Sequence, residues 1–91
     1  MKTIHVIRTD GTEEAHEAKV LNVRKIYGLI GADCLDTVNL RDGRVMLVDD
    51  TGMIEGKLIN AKATALYHSA CVPGTMHQIH GDVAITLDAD W

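Results

Sequence analysis

The chain has 91 residues, of which 46% are hydrophobic and 24% charged, and its formal charge is −4. That size fits a single domain over residues 1–91, and that balance excludes intrinsic disorder, which needs low hydrophobicity and high net charge. The acidic excess, with only 3% aromatic residues and no Phe, argues against general nucleic-acid binding and against a platform for stacking bases.

No run approaches the roughly 18 apolar residues of a membrane span. The opening Met1–Val6 stretch is too short an apolar run for a secretory signal. A cytoplasmic protein with no membrane role is expected. Cys34 and Cys71 set no disulfide framework, because a small secreted domain normally carries four or more cysteines. Neither lies in a CxxC pair, so both read as reduced thiols.

The first segment, Lys2–Thr9, is β-branched and alternating, and it ends at Asp10-Gly11, a dipeptide suited to a tight hairpin. A polar strand near Thr12–Lys19 returns from it, with Glu13, Glu14 and Glu17 on a solvated edge. The period then changes. Val23, Ile26, Tyr27 and Ile30 fall at i, i+3, i+4 and i+7, one apolar helix face, with Asn22 a candidate cap and Gly31 placed to end it.

A second hairpin pairs Cys34–Leu40 with Arg44–Asp50 around Arg41-Asp42-Gly43. Val45 and Leu47 on one face, with Met46 and Val48 on the other, mark a central strand covered twice. Asn60–Ala70 is alanine-rich and opens on Asn60, a cap of about 1 kcal/mol. Pro73-Gly74 breaks the chain before Ile79–Leu87, the cleanest alternation present: Ile79, Val83, Ile85 and Leu87 against His80, Asp82, Ala84 and Thr86. The expected fold is α+β, a mostly antiparallel sheet in the order β-β-α-β-β-α-β with two helices on one face. Its expected core is Ile4, Val6, Val23, Ile26, Tyr27, Ile30, Val45, Leu47, Leu66, Val83 and Ile85. A core this small makes a homo-oligomer the natural expectation.

Candidate chemistry is sparse. His77-x-x-His80 has chelate spacing, but on a strand residues three apart face opposite ways. The better metal set is His80 and Asp82 with His5, if the terminal strands pair. Asp49 and Asp50 are adjacent, so they cannot share a proton on a strand, and turn roles suit them. Ser69 beside His68 is no nucleophile pair, because helix neighbours do not face each other. No nucleophile elbow and no phosphate loop is present, so no catalytic residue and no cofactor is assigned. Ile7, Met46, Met53, Met76 and Trp91 do not all fit one small core; Met and Trp are enriched at interfaces, so Met53, Met76 and Trp91 are candidates for one.

Val48-Asp49-Asp50-Thr51-Gly52, Asn60-Ala61-Lys62-Ala63-Thr64-Ala65-Leu66-Tyr67 and Gly81-Asp82-Val83-Ala84-Ile85 together resemble a family of small domains. It is domain of unknown function 3846, found in phages, mobile elements and bacteria. The chain departs from the family pattern in the longer loop Cys71–Gln78 and at Lys57, where a small or apolar residue is usual. The resemblance implies a non-enzymatic accessory protein that acts by binding. It would counter host defence by docking on a host protein or by sequestering a nucleotide-like signal. On the matching positions, Asn60 caps the second helix, Thr64 bonds back along its turn, and Asp82 sits beside them, as a structural clasp or a small anion pocket. Sequestration would use Arg24, Lys25 or Arg44 on phosphate at subunit interfaces. A metal-dependent domain built on His5, His80 and Asp82, and a structural or regulatory subunit of a larger complex, are the alternatives.

Overall fold

A computed structural model describes residues 2–32, 34–40, 42–49, 56–70 and 78–90. Met53, Met76, Trp91, Cys71 and His77 lie outside these residues, so the interface expected of Met53, Met76 and Trp91 is not addressed by them. The elements run β1 (Lys2–Ile7), β2 (Glu13–Ala18), α1 (Val23–Ile30), β3 (Leu35–Asn39), β4 (Arg44–Asp49), α2 (Ala61–Ala70), β5 (Val83–Leu87) and a 3-10 turn over Asp88–Asp90. This is the α+β class in the expected order.

The five strands form one sheet, β2-β1-β5-β4-β3, with every neighbouring pair antiparallel. Turn chemistry sets both hairpins. In the first, Thr12 N–H donates to Asp10 Oδ1 at 2.8 Å and Arg8 N–H to Thr12 O at 2.8 Å. In the second, Asp42 Oδ1 accepts from Arg44 N–H at 3.2 Å and Leu40 N–H donates to Arg44 O at 3.0 Å. The strand that comes last in the chain, β5, sits at the centre. It pairs His5 with Ile85 on one side and Met46 with Ile85 on the other.

Antiparallel partners point to the same face, so this register sorts the side chains into two layers. Ile7, Met46, Val48, Val83 and Ile85 pack with Ala63 and Ala70 of α2, and Leu66 and Tyr67 close on them. Ile4, Val6, Leu47 and Ala84 pack with Ile26 and Ile30 of α1. The helices therefore lie on opposite faces of the sheet, not on one face as expected. The reason is visible in the strands: β4 and β5 carry buried apolar residues on both sides, β1 turns Ile4 and Val6 to one and Ile7 to the other, and small Ala84 lies under α1. Ile7 and Met46, expected among the exposed apolar residues, are buried under α2.

Helix α1 begins and ends where its sequence says. Asn22 Oδ1 accepts from Arg24 N–H at 2.8 Å, and Gly31 closes the helix in the left-handed region at φ 62°. Its core partners are on β1, β5 and Leu47 of β4, with Leu35 of β3 packed at the margin of the same cluster. Two expected core residues change status as a result. Val23 is 47% exposed at the helix start, and Val45 is only partly buried beside it. Tyr27 and Leu66 are half-buried, and the remainder of the expected core is buried.

Candidate functional site

The residues of the family-like motifs converge on one end of the sheet, where β1 ends, β5 begins and α1 finishes. Asn60 is 1% exposed and uses its whole side chain. Its Oδ1 accepts from Ala63 N–H at 3.1 Å, capping α2, while its Nδ2 donates to Ile7 O at 2.9 Å and Gly81 O at 3.1 Å. The cap expected of Asn60 is present, and the same amide also ties the helix to β1 and to the entry of β5. Thr64 bonds back to Asn60 O through its backbone N–H at 2.9 Å, but its hydroxyl does not follow that turn. Its hydroxyl accepts from Ile79 N–H at 3.0 Å, and Asn60 N–H donates to Ile79 O at 2.8 Å, so residues one helical turn apart grip a single extended residue.

Asp82 does not join Asn60 and Thr64. It shares the sheet face of Ala84, under α1, whereas those two belong to the α2 side. There its Oδ1 accepts from Thr9 N–H at 3.0 Å and its Oδ2 from Arg8 Nη1 at 2.9 Å. The same Arg8 nitrogen donates to Leu29 O at 2.6 Å, and the rest of the guanidinium forks onto Glu14, with Nε to Oε2 at 2.8 Å and Nη2 to Oε1 at 3.0 Å. Lys57 makes a parallel contact. Its Nζ donates to Gly31 O at 2.7 Å and pairs with the buried carboxylate of Asp49. Two cations thus meet the C-terminal end of α1, Arg8 on a carbonyl of its last turn and Lys57 on the capping Gly31, where the helix dipole is negative. The stem of Lys57 lies on Gly81, at φ 85°, and a Cβ there would sit 3.0 Å from Lys57 Cδ.

Charge pairing at this end fixes protonation. Hydrogen bonds from Arg8 first, then His16, hold the Glu14 carboxyl at about 2 against its ordinary 4.5. Glu14 first, then Asp82, push the Arg8 guanidinium still further toward its charged form. These groups are locked in one charge state through the neutral range. That is an arrangement for holding a structure, since proton transfer needs a group that titrates near the working pH.

The other named residues are dispersed. His5 Nε2 lies 2.8 Å from Glu13 Oε1 on the α2 face, and His80 Nδ1 lies 2.9 Å from Lys57 O. With Asp82 engaged by Arg8, the expected metal set of His5, His80 and Asp82 is not assembled, and among the described residues no group of three or more His, Cys, Asp or Glu could hold an ion. Arg24 and Lys25 are exposed on α1, while Arg44 belongs to the α2 face and is bound to Asp42, with Nε to Oδ2 at 2.9 Å. The three cations do not form one cradle within a chain. Arg44 instead flanks a shallow cleft of about 400 Å³ with His5 and Glu13 over Ile85 and Leu87. Cys34 is exposed with a free thiol.

At the opposite end, where α1 begins, no described residue covers the outer part of the sheet. A groove of about 420 Å³ runs between Val23 and the bare face of β3 and β4, lined by Thr37, Asn39, Val45, Leu47 and Asp88. Its lining is more apolar than polar, and Leu87, 52% exposed, lies at the same end on the other face. Sequence reasoning missed this groove and also missed Arg8 and Lys57. The signal for Lys57 was its departure from the family pattern; no periodicity marks Arg8.

Among the described residues, no helix is long and apolar enough to cross a membrane. Comparison with family models, with curated proteins and with solved structures gives no match in any of the three. The likeness to the small-domain family rests on its quoted residues.

Proposed function

We propose that this chain is a non-enzymatic, cytoplasmic binding protein, an accessory protein of a phage or mobile element that counters host defence by docking on a host protein. One contrast carries this reading. The charged and amide side chains at the motif end are spent inside the fold, while no described residue covers the apolar groove beside Val23, Val45 and Leu47. Docking on a protein is favoured over sequestering a nucleotide-like signal because Arg24 and Lys25 lie on a different side of the sheet from Arg44. A phosphate cradle needs its cations converging.

The test pairs a groove variant with a remote one. Val23→Glu suits the first turn of a helix and adds a charge to the groove wall, and Lys19→Glu changes an exposed residue elsewhere. Binding to a host partner is expected to be lost with Val23→Glu and kept with Lys19→Glu, while titration calorimetry with a nucleotide panel gives no heat. Nucleotide binding that survives Val23→Glu, or turnover of a substrate abolished by one side-chain change, overturns the proposal.

A further inference from the structure

Both hairpins turn on Asp-Gly, a dipeptide in which the aspartate can cyclise onto its own chain, because glycine has no side chain to hinder its nitrogen. The two turns share one construction. Arg8 N–H bonds Thr12 O at 2.8 Å and Leu40 N–H bonds Arg44 O at 3.0 Å, with the glycines at φ 90° and 88°. In each, the aspartate Oδ1 accepts from the N–H two residues on, Thr12 at 2.8 Å and Arg44 at 3.2 Å.

The reacting groups are held by different means. Asp42 Oδ2 takes two further bonds from the Arg44 guanidinium, from Nε at 2.9 Å and Nη2 at 2.8 Å, and Gly43 O accepts from Asp88 N–H at 2.9 Å. Among the described residues, the Asp10 carboxylate has Thr12 N–H alone, and Gly11 O is held by Lys62 Nζ at 2.7 Å, from a half-exposed side chain. The Gly11 N–H does donate to Arg8 O at 3.0 Å, which opposes attack by that nitrogen. That bond is neutral and is lost whenever the turn opens. Charge-assisted bonds are roughly twice as strong, and the Arg44 side chain can follow Asp42 as its turn opens. Hydrogen bonding keeps both carboxyls below their ordinary range, through Thr12 at Asp10 and through Arg44 at Asp42. Cyclisation requires the neutral carboxyl, so the partner that persists in an open turn is the one that protects.

The structure assigns Asp10 as a site of spontaneous backbone modification, isomerising through a succinimide, with Arg44 protecting the matching Asp42. The Gly11 nitrogen attacks Asp10 Cγ; the N–Cγ bond forms, the Cγ–OH bond breaks, and the hydroxyl leaves as water with the N–H proton. Water then adds to either imide carbonyl. Addition at Cγ restores aspartate, addition at the main-chain carbon gives isoaspartate, and nothing is oxidised or reduced. The product has one more carbon in its backbone and a carboxylate in place of the Asp10 carbonyl. The change falls between Thr9, whose N–H bonds Asp82, and Gly11, whose O accepts from Lys62, so it loosens the hairpin from the entry of β5 and from α2. The chemistry needs no partner and stands apart from the docking function.

Ageing the whole chain in water enriched in oxygen-18, followed by peptide mapping with mass spectrometry, tests the assignment. Isoaspartate bearing one solvent oxygen is expected at position 10, accumulating at least about threefold faster than at position 42. Exchanging the turn partners should exchange the rates. Arg44→Thr should speed conversion of Asp42 at least about threefold, and Thr12→Arg should slow that of Asp10 by a similar factor. Circular dichroism checks that each variant is folded, and the same chain unfolded in urea sets the rate without the turns. Three results overturn the assignment: faster conversion at Asp42 than at Asp10 in the wild-type chain, conversion at Asp42 indifferent to Arg44→Thr, or no isoaspartate at Asp10 by the time the unfolded chain is largely converted.

Discussion

Where α1 finishes, each polar side chain reaches back into the fold: Arg8 to Leu29 O, Lys57 to Gly31 O, Asn60 to Ile7 and Gly81. Where α1 begins, the helix overhangs a face that no described residue covers, and Val23 stands half in solvent. The contrast follows from length. With eight residues, α1 packs Ile26 and Ile30 mainly over β1, β5 and Leu47, and of β3 only Leu35 joins that cluster among the described residues. Polar anchoring is concentrated at one end, and the groove lies at the other.

Breaking the closed end carries the largest expected cost. Lys57→Met removes a cation from the buried Asp49 carboxylate and is expected to lower unfolding free energy by about 3 kcal/mol in urea. Adding Asp49→Val should restore most of that loss, because replacing a buried pair by apolar groups is often neutral. Asn60→Ala deletes a cap and leaves two carbonyls without their donor, an expected loss of about 2 kcal/mol by the same measurement. Arg8→Met should cost about 1–2 kcal/mol and increase hydrogen exchange in the last turn of α1.

Acid sharpens the contrast further. Glu14 titrates lower in the folded chain than in the unfolded one, so its stabilising contribution is full above its ordinary 4.5 and fades as pH falls toward about 2. Thermal unfolding followed between those limits should show the melting temperature falling, and Glu14→Gln should flatten that fall. The smallest effect belongs to the open end. Val23→Glu should change stability by no more than about 0.5 kcal/mol, which is what lets it report on binding alone.

Local signals made much of this legible. Asp10-Gly11 and Asp42-Gly43 announced the hairpins, the spacing from Val23 to Ile30 announced α1, and Asn60 announced the start of α2. Placement of the helices was harder. Alternation in Ile79–Leu87 suggested a strand with one wet face, yet Ala84 and Thr86 are buried as fully as Val83. Small side chains are weak markers of burial in a sequence and strong ones in a packed layer. The clasp was half visible: its motif residues stood out, but Arg8 reaches Asp82 and Leu29 across long stretches of chain, and such pairings leave no period to detect. Asp82 was assigned to the wrong neighbours because its strand was given only one covered face.

The placement of β5 has a consequence for assembly. Within the sheet, the two hairpins, β1–β2 and β3–β4, are joined by the strand that a ribosome delivers after both. Until Val83–Leu87 emerges, each hairpin carries an apolar flank with no neighbour, and two strands by themselves are marginal in water. Joining of the two halves thus waits on Val83–Leu87, whose single insertion zips them together; a nascent chain stalled ahead of Val83 leaves both hairpins exposed to aggregation and to proteases.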